Sequence, residues 1–170
     1  MLTDLRHEVI AVDPSWPMLE RARLRELPAE LVVGDLHALP VASGSVDLAM
    51  CGLALTHLTD LHPPVAELAR VVKPGGHVMI SDIHPVPVAT GGQALPEAGD
   101  GARLLARNHV HWPSDHVDAF HAARLQVEQL LEPVVTEAAF EQLAVLKTHD
   151  GARAALTGLP FAIIWLARKL

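Results

Sequence analysis

Along the first half of the chain, short apolar runs alternate with stretches whose apolar positions recur at helical spacing. Val9-Ile10-Ala11-Val12 is one such run, closed by Asp13, and it predicts a buried strand ending in a carboxylate. Ser15 then caps a helix that tolerates Pro17 in its first turn and sets Met18, Leu19 and Ala22 on one face. After a break at Pro28, Leu31-Val32-Val33 predicts a second strand running into Gly34-Asp35, and the polar turn that follows stops at Leu39-Pro40. A third strand, residues 46–51, leads to Asp60. That residue can cap a helix carrying Pro63 and Pro64 in its first turn and Leu61, Val65, Leu68 and Val72 in one stripe. Lys73-Pro74-Gly75-Gly76 ends the helix, because glycine accepts positive φ and proline cannot continue the hydrogen-bond ladder; residues 77–81 form the next strand.

Strands alternating with amphipathic helices imply crossover connections and a mainly parallel sheet covered on both faces, an α/β fold. Residues 84–113 interrupt the alternation. They are rich in Pro, Gly, Ala and His, and a segment this long inside a compact domain predicts a substrate-side lid or insertion. Beyond it, Ser114 is placed to cap a helix through Ala123, residues 125–131 read as a strand, 136–146 as a helix and 161–168 as the final strand. The chain contains no internal repeat.

Composition narrows the classes. A chain of 170 residues, 50% hydrophobic, fits one domain spanning 1–170. Its formal net charge of -7, with basic residues scattered among acidic ones, offers no continuous positive face, so nucleic acid is not the expected partner and a small molecule is. The single cysteine cannot form an internal disulfide, and the first residues lack the charged start, apolar stretch and cleavage site of a secretory signal, so the cytoplasm is the expected location. The longest strongly apolar run, residues 161–167, is far short of the roughly 20 needed to cross a bilayer, so no membrane association is expected.

Read together and in order, IAVDPSWPMLERAR, VVGDLHALP, GSVDLAMCGLALTHL, ELARVVKPGG and HVMISDIHP resemble the class I S-adenosylmethionine-dependent methyltransferases. The branch they resemble is the type 11, quinone-biosynthesis-like one that acts on small molecules. The resemblance is close over residues 9–85 and continues through RNHVHWPSDHVDAFHAARLQVEQLLEP and GLPFAIIWLARK to the end. It implies a Rossmann-like methyltransferase fold and S-adenosylmethionine as cofactor. It assigns Asp13 to the two ribose hydroxyls, which one carboxylate can accept together. It places Asp35 near the adenine amine, the Leu36 backbone amide near a ring nitrogen and Met18 against the adenosine, with Cys51 and Gly52 closing the strand before the catalytic face. Gly52 permits close approach of the cofactor. Cys51 reads as a small buried residue, since methyl transfer from a sulfonium needs no enzyme nucleophile. An acceptor that must lose a proton calls for a base, and His57 and His84, just beyond strand ends, are the candidates, with either able to serve instead as a loop cap. Of the remaining histidines, His109, His111 and His116 invite a metal hypothesis, but no cysteine or carboxylate completes a recognisable ligand spacing and no metal is expected.

The sequence departs from that family in two ways. The family's first, central strand, its Gly-x-Gly-x-Gly loop and its first helix have no counterpart ahead of residue 9, and Leu2 to Arg6 reads as the last turn of that helix. Two causes are open, a start assigned too far downstream, which is favoured, or a genuine remnant. In either case the expectation is a sheet split between the strands ending at Asp13 and Cys51, two exposed apolar edges through which other chains can associate, and no methyl transfer by the chain on its own. The second departure is Arg124, where the related pattern has a helix-ending glycine. Two other functions compete, a non-catalytic partner subunit completed by a foreign strand, and an NAD-dependent oxidoreductase using Asp13 on the ribose. The GDLHALP and KPGG segments count against the latter.

Overall fold

The computed structural model describes residues 7–26, 28–92, 106–138 and 156–170. Its strands are β1 (Ile10–Asp13), β2 (Glu30–Val33), β3 (Val46–Gly52), β4 (Val72–Ile83), β5 (Leu125–Leu131) and β6 (Ala162–Lys169). The helices are α1 (Trp16–Arg23), α2 (His62–Val71), α3 (Pro85–Ala89) and α4 (Pro113–Ala122), and Leu55–His57 forms a single 3-10 turn. The mixed α/β architecture agrees with the alternation of strand and helix patterns, and each strand read from the apolar runs is present.

The strands form two sheets. β1 and β2 pair in parallel, Asp13 opposite Val33, and the other four are ordered β3-β4-β6-β5. β3 and β4 are parallel, whereas β6 runs antiparallel to both β4 and β5, so this sheet is mixed where the crossover pattern implied a mainly parallel one. Among the described residues no ladder joins β1 to β3, the break expected between the strands ending at Asp13 and Cys51. On β3, Ala49 and Cys51 are buried while Leu48 and Met50 are 40% and 46% exposed, so one face of this edge strand is left uncovered by the described residues.

The core lies on the other face. The stripe Leu61, Val65, Leu68 and Val72 is buried throughout, against Val78, Ile80, Ile163 and Trp165 of the sheet and Phe120 of α4. Burying side chains of this size is worth about 1.5–3 kcal/mol each, which fixes α2 and α4 on the sheet.

Some local expectations are corrected. β4 begins at Val72 directly after α2, because Val72 pairs with Val46; the next partners are Leu48 and His77, so Lys73 to Gly76 bulges out of the ladder within the strand, with Gly75 at the positive φ of 80° expected of a glycine there. Gly76 is required there, since a Cβ would lie 2.7 Å from the Asp47 carbonyl. The 84–113 segment is not uniformly irregular: His84 accepts from the Val86 N–H and starts α3, with Pro85 in the first turn. Ser114 is inside α4 and not its cap. Trp112 precedes the helix, Pro113 opens it, and the Asp115 carboxylate accepts from the Trp112 N–H at 2.7 Å. Residues 2–6, 93–105 and most of the helix expected at 136–146 lie outside the described residues.

Candidate functional site

Parallel strands end together, and the sequence-derived acids stand at such ends. Asp13 closes β1 opposite Val33, and Asp35 lies two residues beyond that partner. Between them, a Cβ on Gly34 would come within 2.6 Å of Pro40 Cδ and 2.8 Å of Val12 Cγ1, so only glycine permits this close turn. Asp13 is half-buried and one oxygen accepts the Ser15 N–H at 2.7 Å. Asp35 is exposed, and its Oδ1 accepts from the His37 backbone N–H and lies 2.8 Å from His37 Nδ1; these bonds hold its carboxyl below the usual range. Leu36 packs its side chain on the core. Met18 is 50% exposed on α1, whereas Leu19 is the buried residue of that helix.

The second set of strand ends belongs to β3 and β4, where Gly52 is opposite Ser81. Cys51 is buried, and burial, aided by the negative charge of Asp82, pushes its thiol up to about 12, so it is no nucleophile. Gly52 is exposed, and a Cβ there would meet nothing closer than Ser81 Oγ at 3.4 Å, so packing does not demand a glycine at this open position. Leu53 follows with φ of 55°, a left-handed conformation that costs a leucine roughly 1–2 kcal/mol.

The two histidines differ in what their rings are free to do. His84 is buried. Its Nδ1 accepts the Val86 N–H, so Nε2 carries the proton and faces Glu132 Oε1 at 3.0 Å. With both nitrogens engaged, no lone pair remains for a substrate proton. His57 is exposed at the end of the 3-10 turn, and its Nδ1 lies 3.1 Å from the Arg107 carbonyl. A carbonyl only accepts, so Nδ1 holds the proton and the neutral ring presents Nε2 as a bare acceptor.

Asp82 was missed from sequence, although an acid within the apolar run at the carboxyl end of β4 was a visible signal. It is 3% exposed; Oδ2 accepts the Thr56 N–H and Oδ1 the Ile83 N–H, each at 2.8 Å. Burial raises its pKa, opposed by those two bonds and by His57 and His116. Residues 107–111 strap the 3-10 turn: besides the His57 bond, the His109 N–H donates to Thr56 O at 2.7 Å and His111 Nε2 to Leu58 O at 2.8 Å. Outside the strap lies an open depression of about 360 Å³, lined by Asp60, His62, His109, His111, Asp115 and Asp118. Among the described residues no group of three or more ligand-type side chains is arranged to hold a metal ion. His111 is bonded to Leu58 O and His116 Nδ1 to Trp112 O. No helix among them is long and apolar enough to cross a membrane.

Comparison with known proteins bears on the fold that carries these residues. Residues 1–80 match a family model described as a methyltransferase domain. A stretch of 57 residues, 32% of the chain, is 44% identical to a malonyl-[acyl-carrier protein] O-methyltransferase of Xylella fastidiosa. The aligned stretches span less than a fifth of the length of the curated relatives they match. An S-adenosylmethionine-dependent methyltransferase of Mesorhizobium loti superposes with a TM-score of 0.70 at 22% identity, over 95% of this chain and 80% of that one. A methyltransferase of Haloferax volcanii, solved as a complex with the Trm112 methyltransferase activator, gives 0.71 at 18% identity, over 95% and 71%.

Proposed function

From a chain that has the fold of the S-adenosylmethionine-dependent methyltransferases and their domain signature over residues 1–80, we infer a methyltransferase that uses S-adenosylmethionine on a small-molecule acceptor. The observation that carries the reading is the adjacency of β1 and β2, which puts Asp13 and Asp35 at one end of a parallel pair across a glycine-only turn. The residues fit the adenosine half of the cofactor. Asp13 spends one oxygen on Ser15 and has lone pairs left for two ribose hydroxyls. No partner claims the Leu36 N–H among the described residues, and Gly52 is open. Met18 offers an exposed apolar wall, and Cys51 contributes backbone only.

When bound, the cofactor supplies a methyl group already activated by positive sulfur, so the protein's task is alignment and exclusion of water. We assign His57 Nε2 to the proton that a hydroxyl or carbon acceptor must lose, and His84 to capping α3. Residues 84–92 and 107–111 border this end of the strands among the described residues, and the segment 84–113 is the proposed acceptor side. The proposed location is the cytoplasm, in keeping with a chain whose one cysteine is a buried free thiol.

Calorimetric titration with S-adenosylhomocysteine, and with NAD for comparison, tests the reading. The expected result is binding of the former that weakens at least about tenfold in Asp13→Ala, one charge-assisted hydrogen bond's worth. Binding of NAD alone overturns it in favour of an oxidoreductase.

A second reading rests on the break between the sheets. Among the described residues β1 pairs only with β2, and β3 only with β4, so each presents a free edge, with Leu48 and Met50 exposed beside it. In that reading the chain is a partner subunit that accepts an apolar strand from another polypeptide. A structural neighbour assembled with an activator protein lends it support. A soluble monomer that unfolds cooperatively argues against it, and a stable complex in which the β3 amides become protected from exchange argues for it.

A further inference from the structure

We propose that Asp82 is a positioning residue for His57: its carboxylate fixes the Thr56 peptide, and through it the turn that presents Nε2 of His57 as an unprotonated acceptor. The proposal rests on the reading of His57 as the proton acceptor, but its geometry stands on its own.

The Thr56 peptide group is held from both sides. Its N–H donates to Asp82 Oδ2 at 2.8 Å, a buried charge-assisted bond, and its carbonyl accepts the His109 N–H at 2.7 Å. The first bond anchors the 3-10 turn to the end of β4, the central strand between β3 and β6. The second anchors it to the strap. His57 is the next residue, and its ring reaches the same strap at the Arg107 carbonyl. A shift of the turn by a fraction of an ångström breaks that last bond first, because it is the longest of the three and ends on an exposed side chain. Without the Arg107 carbonyl, nothing in the turn requires the proton on Nδ1, and the ring is free to carry it on Nε2, where it can no longer accept.

Asp82 suits the task because it is not itself free. Oδ1 is bound by the Ile83 N–H, which locks the side-chain rotamer and aims Oδ2 at Thr56. The arrangement matches the orienting partner found behind a catalytic imidazole, displaced by one peptide unit: the acid fixes the backbone and a strap carbonyl fixes the ring. The Thr56 hydroxyl takes no part, since Oγ1 is buried with no hydrogen-bond partner among the described residues.

The test is nuclear magnetic resonance of the ligand-free protein with nitrogen-15 in the histidine rings. In the wild type, neutral His57 carries its proton on Nδ1 and the Thr56 amide exchanges slowly. In Asp82→Asn, which preserves shape but presents an NH2 to one of the two amides, Thr56 exchange accelerates at least about tenfold. The His57 ring in that variant becomes a mixture of tautomers, while His84 is unchanged. Should Asp82→Asn lose the native amide spectrum, Asp82→Ser supplies the same comparison. A wild-type His57 protonated on Nε2 overturns the proposal. So does a folded Asp82 variant whose His57 tautomer and Thr56 exchange match the wild type. No methyl donor enters the measurement, so a failure to bind S-adenosylhomocysteine sinks the functional reading while leaving this result to stand or fall separately.

Discussion

Replacing His116 with phenylalanine should flatten the acid side of the stability curve. His116 is 2% exposed, stacks on Trp165 with ring centres 5.5 Å apart and lies tilted against Phe120 with ring centres 6.2 Å apart. Burial holds its pKa below the ordinary 6.5, with nearby His111 acting in the same direction and the Trp112 carbonyl, Asp82 and Asp115 acting against it. The unfolded chain therefore takes up this proton at a higher pH than the native one does. In the interval between the two values the unfolded state holds more protons, so stability rises with pH there and is lost as pH falls below about 6.5. The limiting slope is about 1.4 kcal/mol per pH unit, and each unit of native depression adds about that much to the total loss. Phenylalanine preserves the ring against Trp165 and gives up the bond from Nδ1 to the Trp112 carbonyl, a pH-independent offset of about 1 kcal/mol. Urea unfolding of both proteins from about pH 8 to about pH 5, followed by the combined fluorescence of Trp16, Trp112 and Trp165, isolates the term, because groups shared by both proteins cancel in the difference. Curves that stay parallel below pH 6.5 would show that the buried ring titrates alike in both states, and the reasoning from burial would fail.

Three further outcomes are expected. Arg124, exposed and held at φ of 56° after α4, should stabilise the protein by about 1 kcal/mol when changed to glycine, read as a shift in the denaturation midpoint. Gly34→Ala should destabilise by about 1–3 kcal/mol and weaken S-adenosylhomocysteine binding together with it, since the added methyl meets Pro40 and Val12. The Glu67 carboxyl is held below the ordinary 4.5 chiefly by its hydrogen bond from Arg70. Its contribution is therefore complete above that pH and lost as pH falls through the native value, so wild type and Glu67→Gln should converge in acid unfolding curves.

The elements were legible where local chemistry decides them. Alternation of apolar runs with 3.6-residue stripes located all six strands, and the stripe of α2 is the one the core buries. Boundaries set by a long-range partner were not. Val72 belongs to β4 because of Val46, 26 positions earlier in the chain, and no property of KPGG reveals that pairing. The direction of β6 is likewise silent in its residues, since alternation is identical read either way; only the contacts of Ala162–Lys169 with β4 and β5 establish it. At the site, Asp13 and Asp35 stood out because each closes an apolar run. Asp82 was passed over in favour of the neighbouring His84, whose ring the structure spends on α3 and Glu132. What distinguishes His57 from His84 is which backbone atom faces which nitrogen, and no spacing rule encodes that.

The split between the sheets raises the question of what places Asp13 and Asp35 relative to the ends of β3 and β4, since among the described residues no ladder joins β1 to β3. The connection runs through the segment after β2. Leu36, Leu39 and Val41 pack on the core, and α2 grips the same stretch. Arg70 donates to the carbonyls of Leu39 and Val41 and to Ser43 Oγ, while Glu67 accepts the Leu39 N–H and pairs with Arg70 through both oxygens. A bidentate pair that also binds backbone fixes orientation as well as distance, which a lone surface ion pair does not. Asp13 and Asp35, the acids proposed above for adenosine, are thus placed relative to β3 and β4 by a helix two elements away instead of by a strand ladder. Loosening this clamp should impair ligand affinity at the carboxyl ends before it affects the core around Phe120 and Trp165, which Arg70 and Glu67 do not reach through any hydrogen bond among the described residues.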